Sequence, residues 1–382
     1  MSAGVASRST IVLAGGGTGG HISPGLAIAE SLREREPNIR VVFACSTRAI
    51  DRQMLERAGE EFVAVPAEPI SLRPFRLWRF LRTASAARRT SRAVVRDGSP
   101  SWVVALGGFV SVPVTLAARS AGVSTLLFNL DAVPGRANRF LARRCTRLLS
   151  AVAAPQLGTR AGEGVGFPVR AIARCGVTQA QARSALGLEP QLRTLLVTGA
   201  SQGAGSVNDL ALALAATKAR ALDGWQVLHL CGGSADVTAI RAAYSASSVS
   251  AVVLPFLHEM GLAWGAADLA VTRGGANSAG EAQFNRVPAV FLPYPWHRDQ
   301  HQRANVEHLV GAGAARCCTD HIEAKSNLAE AGVELLRLIA DSKALARMKA
   351  ALQAMPRADG AQAVVNVLLG PREAPGFLST AG

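Results

Sequence analysis

Short, unbroken apolar runs recur along the chain, each followed by small or turn-forming residues and then by a helical stretch. Ile11–Ala14 leads into Gly15-Gly16-Gly17-Thr18-Gly19-Gly20, and a helix is expected over Pro24–Glu36. Half a chain later Leu195–Thr198 leads into Gly199-Ala200-Ser201-Gln202-Gly203-Ala204-Gly205, and a helix is expected over Leu210–Leu222. Continuous runs of this length, without polar alternation, suit strands of a parallel sheet buried on both faces. Strand, glycine-rich turn and helix in succession form the opening unit of a doubly wound α/β domain. The unit occurs twice, so two Rossmann-like domains are expected.

Further runs fill both halves. Val41–Cys45, Phe62–Pro66, Trp102–Leu106, Thr125–Asn129 and Leu148–Val152 are expected strands of the first domain. Val227–Cys231, Ala251–Pro255, Leu269–Thr272 and Pro288–Pro293 are those of the second. Another helix is expected over Ala132–Arg144. Gly162, Gly164, Gly166 and Pro168 crowd the stretch Gly162–Val169, where the boundary is expected. The division is therefore 1–165 and 166–370, with 371–382 a disordered tail. A length of 382 residues agrees with two domains.

Composition narrows the function. Lys+Arg exceed Asp+Glu by 41 − 27 = 14, which points to polyanionic partners: nucleic acid, anionic lipid or phosphorylated substrates. Aromatics are only 5 %, with two Tyr, so an aromatic platform for single-stranded nucleic acid is not expected. Six cysteines without a C-x-x-C pair suggest reduced thiols, with Cys317-Cys318 at a strand end. No signal-peptide pattern opens the chain and no run of 18 apolar residues occurs, so a cytosolic protein with at most peripheral membrane contact is expected. Between Ile70 and Arg96 lie eight Arg and no acid, with Phe75, Trp78 and Phe80 interleaved. Arg73, Phe75, Arg76, Trp78, Arg79, Phe80 and Arg82 thus form a candidate contact with an anionic membrane. No helix-turn-helix or zinc-finger pattern favours nucleic acid instead.

Gly15, Gly17 and Gly20 fit the dinucleotide fingerprint G-x-G-x-x-G. That reading needs a ribose-binding acid at the end of the second strand, where Cys45, Ser46, Thr47 and Arg48 stand, so an oxidoreductase is disfavoured. Two glycine loops better suit two diphosphate-bearing ligands, since glycine admits close backbone approach and a helix N-terminus offers N–H groups to an anion. His21, directly after the first loop, is a candidate for proton transfer. Glu281 closes the small-residue stretch Arg273-Gly274-Gly275-Ala276-Asn277-Ser278-Ala279-Gly280; it is either an ordinary early-helix acid or a ribose acceptor. His297 and His301, with Asp299, could hint at a metal, but the segment is polar and follows Pro293 and Pro295, so a loop without a metal is expected.

Taken together, Gly16-Gly17-Thr18-Gly19-Gly20-His21-Ile22-Ser23-Pro24, Gly107-Gly108-Phe109-Val110-Ser111, Pro168-Val169-Arg170, Gly199-Ala200-Ser201-Gln202-Gly203-Ala204 and Gln302-Arg303-Ala304-Asn305 resemble the MurG family. Its members are UDP-N-acetylglucosamine:lipid-linked muramyl-peptide N-acetylglucosaminyltransferases of peptidoglycan synthesis. The resemblance implies a GT-B fold, with two Rossmann-like domains facing across a cleft and the donor mostly on the C-terminal one. It also implies inversion without a tightly bound metal, no cofactor, a lipid-linked muramyl-peptide acceptor, and work at the cytoplasmic face of the cell membrane. By position, Thr18, Gly19, Gly20 and His21 would meet the sugar and diphosphate, and Arg170 and Ser201 the donor. Leu257 would offer backbone to uracil. Ala276, Asn277, Ser278, Ala279, Gly280 and Glu281 would line ribose and diphosphate, with Glu281 on the ribose. Gln302 and Asn305 would hold sugar hydroxyls.

One segment departs from the pattern. Where the family usually reads His-Glu-Gln-Asn, this chain has Phe128-Asn129-Leu130-Asp131, and Phe167 stands where an Asn usually precedes Pro-Val-Arg. His21 is the first candidate for the general base and Asp131 the second, with Asp131 also a substrate contact. Two other functions remain open: a GT-B transferase on another lipid acceptor, and a catalytically silent nucleotide-sugar-binding module. UDP-sugar turnover separates the silent module from either enzyme.

Overall fold

The computed structural model describes residues 9–17, 20–68, 74–199 and 203–370. The expected strands form, and they divide between two sheets. The first half runs β1 (Thr10–Gly15), α1 (Ile22–Arg35), β2 (Arg40–Cys45), α2 (Ala49–Arg57), β3 (Glu61–Ala64), α3 (Pro74–Gly98), β4 (Trp102–Gly107), α4 (Gly108–Ser120), β5 (Ser124–Asn129), α5 (Arg136–Ala142) and β6 (Arg147–Ser150). The second runs α6 (Gln179–Ala185), β7 (Arg193–Thr198), α7 (Gly205–Lys218), β8 (Trp225–Leu230), α8 (Val237–Ser247), β9 (Ala251–Leu254), α9 (Met260–Ala266), β10 (Leu269–Thr272), α10 (Ala276–Phe284), β11 (Ala289–Phe291), α11 (His301–Gly311) and β12 (Ala315–Cys317). Helices α12 (Ala324–Asn327), α13 (Val333–Ala340), α14 (Ser342–Ala354) and α15 (Gly360–Leu369) complete the chain.

The sheet orders are β3-β2-β1-β4-β5-β6 and β12-β11-β10-β7-β8-β9. Every pairing is parallel. Counted from its own first strand, each sheet is 3-2-1-4-5-6, the doubly wound order. Ile11, Leu13, Phe43, Leu126 and Phe128 are at most 1 % exposed in the first core, as are Leu195, Val197, Leu269 and Val271 in the second.

Several expected boundaries move for local reasons. The helix expected over Ala132–Arg144 begins only at Arg136, because Pro134 and an extended Gly135 precede it. The helix expected over Leu210–Leu222 starts earlier, at Gly205, and ends as a 3₁₀ turn over Ala219–Leu222. Cys317 closes β12, at the strand end expected for Cys317-Cys318.

By contacts, one unit comprises the described residues of Met1–Leu130, Pro134–Pro168 and Asp359–Gly382; the other comprises Asp131–Val133 and Val169–Ala358. A second domain continuous over 166–370 is thereby corrected at its end. Ala361, Val364, Val365 and Leu368 of α15 are buried in the core formed by Ile11, Leu26, Phe43 and Phe128. Arg35 at the end of α1 donates to Asn366 Oδ1 at 2.7 Å and to the Gly370 carbonyl at 2.6 Å. Gly360 makes the approach possible: a Cβ there would stand 2.2 Å from the Gly166 carbonyl oxygen. The tail expected over 371–382 lies outside the described residues.

Candidate active site

In a 3-2-1-4-5-6 sheet, ligands bind beyond the carboxyl ends of the strands where the order reverses. In the first unit that point lies between β1 and β4, and both strands run into glycines. Gly16, Gly17, Gly107 and Gly108 all have positive φ (151°, 115°, 109° and 76°). The two loops interlock closely enough to require them. A Cβ on Gly108 would come within 2.5 Å of the Gly16 carbonyl oxygen, and one on Gly17 within 3.0 Å of the Phe109 ring. His21, which precedes the first turn of α1, lies over this junction. A Cβ on Gly107 would meet its Nε2 at 3.0 Å, and one on Gly15 its Cβ at 3.3 Å. The imidazole is half-buried on a floor of backbone. Gly20 beside it is also half-buried, whereas Thr18 and Gly19 lie outside the described residues.

The departing segment is structural at Asn129. This side chain is fully buried at the end of β5; it donates to Ser150 Oγ at 2.8 Å and accepts from Asn138 Nδ2 at 2.9 Å. It thus ties the ends of β5 and β6 to α5. Asp131 groups with the second unit, where its Oδ1 accepts from Asn305 Nδ2 at 3.0 Å. Asn305 Oδ1 in turn accepts from the Ala132 amide at 2.9 Å, and the residue is 2 % exposed. Both ends of the Asn305 amide, expected on sugar hydroxyls, are engaged with Asp131-Ala132.

In the second unit the reversal lies between β7 and β10. Gly203 (φ 75°) presses against the end of β8, where a Cβ would stand 2.6 Å from the Cys231 carbonyl oxygen. Ala200, Ser201 and Gln202 lie outside the described residues, and with them the expected donor contact of Ser201. Helices α7 and α10 open from this edge with Ala204 and Gly275 at their N-caps and no capping side chain, while Thr178, Asp236 and Asp341 cap α6, α8 and α14. An uncapped N-terminus leaves its N–H groups to an anion. Below α7, the buried Asp320 carboxylate pairs with Arg273 at the end of β10 and accepts from Ser206 Oγ at 2.8 Å and Asn327 Nδ2 at 2.8 Å. Burial works to raise its pKa, but these hydrogen bonds outweigh it and hold the carboxyl below its ordinary value.

Glu281 stands in the second turn of α10, and its Oε2 accepts from the indole of Trp264 at 2.8 Å. Desolvation pushes its pKa up to about 7, against the pull of the Trp264 hydrogen bond and the positive charge of Arg170. A carboxyl held near neutrality with little solvent and a free capacity to accept is the kind of group found in binding sites. The segment that follows Arg170 is tied to the end of α10. Asn285 at the end of α10 accepts from the Cys175 amide at 2.9 Å and donates to the Ala173 carbonyl at 2.8 Å. The Arg174 guanidinium lies 4.8 Å from the centre of the Phe284 ring, and Gly261 of α9 gives the Arg174 carbonyl room.

The stretch expected to line ribose and diphosphate is uneven. Ala276 and Asn277 stay partly open beside Glu281, whereas Ser278, Ala279 and Gly280 are buried and Ala279 belongs to the core. Gln302 Oε1 accepts from the Tyr294 amide at 2.8 Å, and its backbone carbonyl packs on Gly274, where a Cβ would be 2.3 Å away. Leu257 is half-buried in the loop after β9, beside Phe256 at 53 % exposure. His297 and His301 stack at 4.3 Å, with His301 Nδ1 2.8 Å from Asp299 Oδ1. Among the described residues no group of three or more His, Cys, Asp or Glu is placed to hold a metal.

Of the basic stretch, Arg73 lies outside the described residues, and the side chains of Phe75, Arg76 and Arg79 are likewise not described. In the first turns of α3, Trp78 and Leu81 are 53 % and 62 % exposed, Phe80 is half-buried, and the Arg82 guanidinium lies 4.5 Å over the Trp78 ring.

Sequence reasoning passed over Asp51, Ser46, Trp264 and the Arg273–Asp320 pair. Asp51 had a faint signal. The acid sought at the end of β2 is absent, but one stands just past it in α2, fully buried, with Oδ2 accepting from the Gly17 amide at 2.7 Å.

Two doubly wound units, each with glycine loops at its reversal point, form the two-domain GT-B fold. Residues 11–150 match the glycosyltransferase family 28 N-terminal domain, and residues 194–364 its C-terminal domain. The chain is 35 % identical over 374 residues to the UDP-N-acetylglucosamine–N-acetylmuramyl-(pentapeptide) pyrophosphoryl-undecaprenol N-acetylglucosamine transferase of a Nocardioides species, covering 94 % of this chain and 97 % of that one. The enzyme of the same name from Mycolicibacterium smegmatis is 34 % identical, with 94 % and 93 % covered. The crystal structure of Acinetobacter baumannii MurG superposes with a TM-score of 0.71 at 24 % identity, covering 94 % and 99 %. A UDP-N-acetylglucosamine 2-epimerase structure gives 0.65 at 14 % identity, covering 95 % of each chain, so this fold alone does not select a reaction. The chain belongs to the MurG family of glycosyltransferases.

Proposed function

We propose that this chain transfers N-acetylglucosamine from UDP-N-acetylglucosamine to a lipid-linked N-acetylmuramyl-pentapeptide, a step of peptidoglycan synthesis. The observation that carries the reading is Glu281: a desolvated carboxyl that feels the charge of Arg170, in the second turn of α10, whose uncapped start and that of α7 follow the neighbouring strands β10 and β7. Such a group accepts hydrogen bonds from the hydroxyls of a ribose while the helix starts take the diphosphate. The acceptor hydroxyl attacks the anomeric carbon, the carbon–oxygen bond to UDP breaks, and UDP leaves with the electron pair, which inverts the centre. His21 takes the hydroxyl proton. The N-terminal unit serves the acceptor and the C-terminal unit the donor, with Gln302 toward the transferred sugar.

The basic start of α3, with Trp78 and Leu81 exposed beside Arg82, supports peripheral attachment to an anionic membrane on its cytoplasmic face. No helix among the described residues is long and apolar enough to cross a membrane. The same reading gives the chain a part in cell-wall assembly, and through it in cell shape and division.

UDP release from a panel of nucleotide sugars, with and without the lipid-linked muramyl acceptor in anionic vesicles, tests the proposal. Release from UDP-N-acetylglucosamine that depends on the acceptor is expected. Epimerised sugar nucleotide without acceptor, or release with no sugar on the lipid, overturns it. Replacing Arg73, Arg76, Arg79 and Arg82 by Gln is expected to weaken vesicle binding by roughly 1 kcal/mol per charge while sparing turnover of a soluble acceptor.

A further inference from the structure

The buried carboxylate of Asp51 has no part in the reaction as drawn, and its surroundings are not those of an ordinary early-helix acid. It sits at the third position of α2, where Asp commonly faces solvent and complements the helix dipole. Here the side chain is fully buried and aimed out of its own helix. Oδ2 accepts from the Gly17 amide at 2.7 Å, the Ser46 amide at 3.3 Å and Ser46 Oγ at 2.6 Å. Ser46 Oγ accepts from the Arg48 amide at 3.2 Å, and the Arg48 guanidinium donates to the Gly17 carbonyl. The contacts close a ring: Gly17 to Asp51, Asp51 to Ser46, Ser46 to Arg48, and Arg48 back to Gly17. Gly16 is shaped to admit it, since a Cβ there would lie 2.5 Å from Asp51 Oδ2.

We propose that Arg48 and Asp51 clamp Gly17 by both its backbone groups and so position the glycine loop and His21 for proton transfer. The inference rests on the reading above in assigning His21 the proton; the clamp itself is a claim about the loop. A residue in a left-handed or otherwise rare backbone conformation, such as Gly16 or Gly17, holds that conformation only where its surroundings fix it. Gly17 N–H is fixed by the hydrogen bond it donates to a carboxylate that solvent does not reach, and its carbonyl by a guanidinium. His21 follows four residues later over Gly107 and Gly108, so a displaced Gly17 displaces the imidazole. Asp51 and Arg48 are thus positioning residues.

The test compares Asp51→Ala, Asp51→Asn and Arg48→Ala in the full chain. Two quantities are read: kcat for UDP-N-acetylglucosamine with the lipid-linked acceptor, and amide hydrogen exchange of peptides spanning residues 14–22. Asp51→Ala is expected to lower kcat by about 10–100-fold, the scale on which a misplacement near an ångström acts. UDP affinity should change less than about two-fold. Exchange in the 14–22 peptides should accelerate at least about ten-fold over peptides of β2 and β4. Asp51→Asn keeps an oxygen for the Gly17 amide and should recover most of both; Arg48→Ala should fall between. Should Asp51→Ala fail to fold, Asp51→Asn and Arg48→Ala carry the same comparison. Wild-type exchange in the 14–22 peptides of Arg48→Ala and of a folded Asp51→Ala overturns the clamp. So does a loss of kcat matched by an equal loss of UDP affinity, the mark of general unfolding. If His21→Ala turns over normally, the proton assignment fails while the exchange comparison still decides the clamp.

Discussion

The two units share a strand order and place a glycine loop after their first strand, yet they secure the loops by different chemistry. In the first, Asp51 of α2 and Arg48 just before it hold Gly17, and the loop is locked against Gly108 and Phe109 with His21 above the junction. In the second, Gly203 leans on the Cys231 carbonyl, and that carbonyl is held by Asn208 of α7 at 2.9 Å. Asn208 is steadied by His229, whose other ring nitrogen meets Tyr244 at 2.9 Å. Burial pulls the His229 pKa down to about 4, so this support is neutral across the physiological range. Topology therefore sets where a ligand can sit, and the anchoring groups set what the loop does. A loop pinned at Gly17 by a carboxylate fixes an imidazole. A loop with neutral support, beside uncapped helix starts, leaves its electrostatics to an anionic ligand.

The largest expected effect separates the loops by their chemistry. His21→Ala should lower single-turnover rates by about 10²–10⁴-fold while UDP affinity, which we propose the second unit supplies, stays near wild type. Asp131→Asn is the matching control, because Asn at 131 can still accept from Asn305 Nδ2 while losing the charge. A large loss in Asp131→Asn with little in His21→Ala would move the base out of the first unit and break the comparison. Near-wild-type rates in both would leave neither loop with the proton.

Glu281 tests the other half. Glu281→Ala should weaken UDP binding by about 1.5–3 kcal/mol, the worth of charge-assisted hydrogen bonds to a ribose, with the His21 step unaffected once donor is saturating. The pH dependence has a definite sign. In the free protein the carboxyl titrates near 7, above its ordinary 4.5, so it opposes folding increasingly as pH rises from about 4.5 to about 7. Ribose hydroxyls favour the ionised form, so UDP binding should release protons between about pH 5 and 7 and tighten as pH rises through that range. Calorimetry in two buffers of different ionisation enthalpy reads the released protons directly. Proton uptake, or UDP affinity unchanged in Glu281→Ala, would take this residue off the ribose.

Much of this arrangement was legible in the sequence, and the limits have physical causes. Apolar runs ending in glycine gave both units, because a buried parallel strand and a close backbone turn each restrict residue type locally. His21 and Glu281 could be singled out because they adjoin those turns. Asp51 could not, since its partner is 34 residues away and nothing in a helical pattern tells which way an early acid will point. Trp264, 17 residues before Glu281, is hidden for the same reason. The apolar face of α15 announces that the helix is buried but not against which core, so its packing with Leu26 and Phe128 appears only in three dimensions. Asn129 and Asn305 carry amides that serve a sugar or a buried network equally well, and only their partners distinguish the two.

The smallest expected effect sharpens the comparison inside the second loop itself. Gly203 and Gly205 are two residues apart, but their surroundings differ. Gly203 has φ 75°, and a Cβ would stand 2.6 Å from the Cys231 carbonyl oxygen and 3.0 Å from Gly232 Cα. Gly205 opens α7 with nothing within 4 Å of its Cβ position. Gly203→Ala should therefore cost about 1–2 kcal/mol for the left-handed conformation alone, with UDP affinity falling as the loop shifts. Gly205→Ala should be neutral or stabilise the fold by up to about 1 kcal/mol, since Ala loses less freedom than Gly on entering a helix. Thermal melts with and without UDP measure both. If the loop is held by its contact with β8, the two variants differ in the free protein as well as in the complex. Equal melting temperatures without UDP would mean that the Cys231 contact does not fix the loop, and the neutral support traced through Asn208 and His229 would then lose its role.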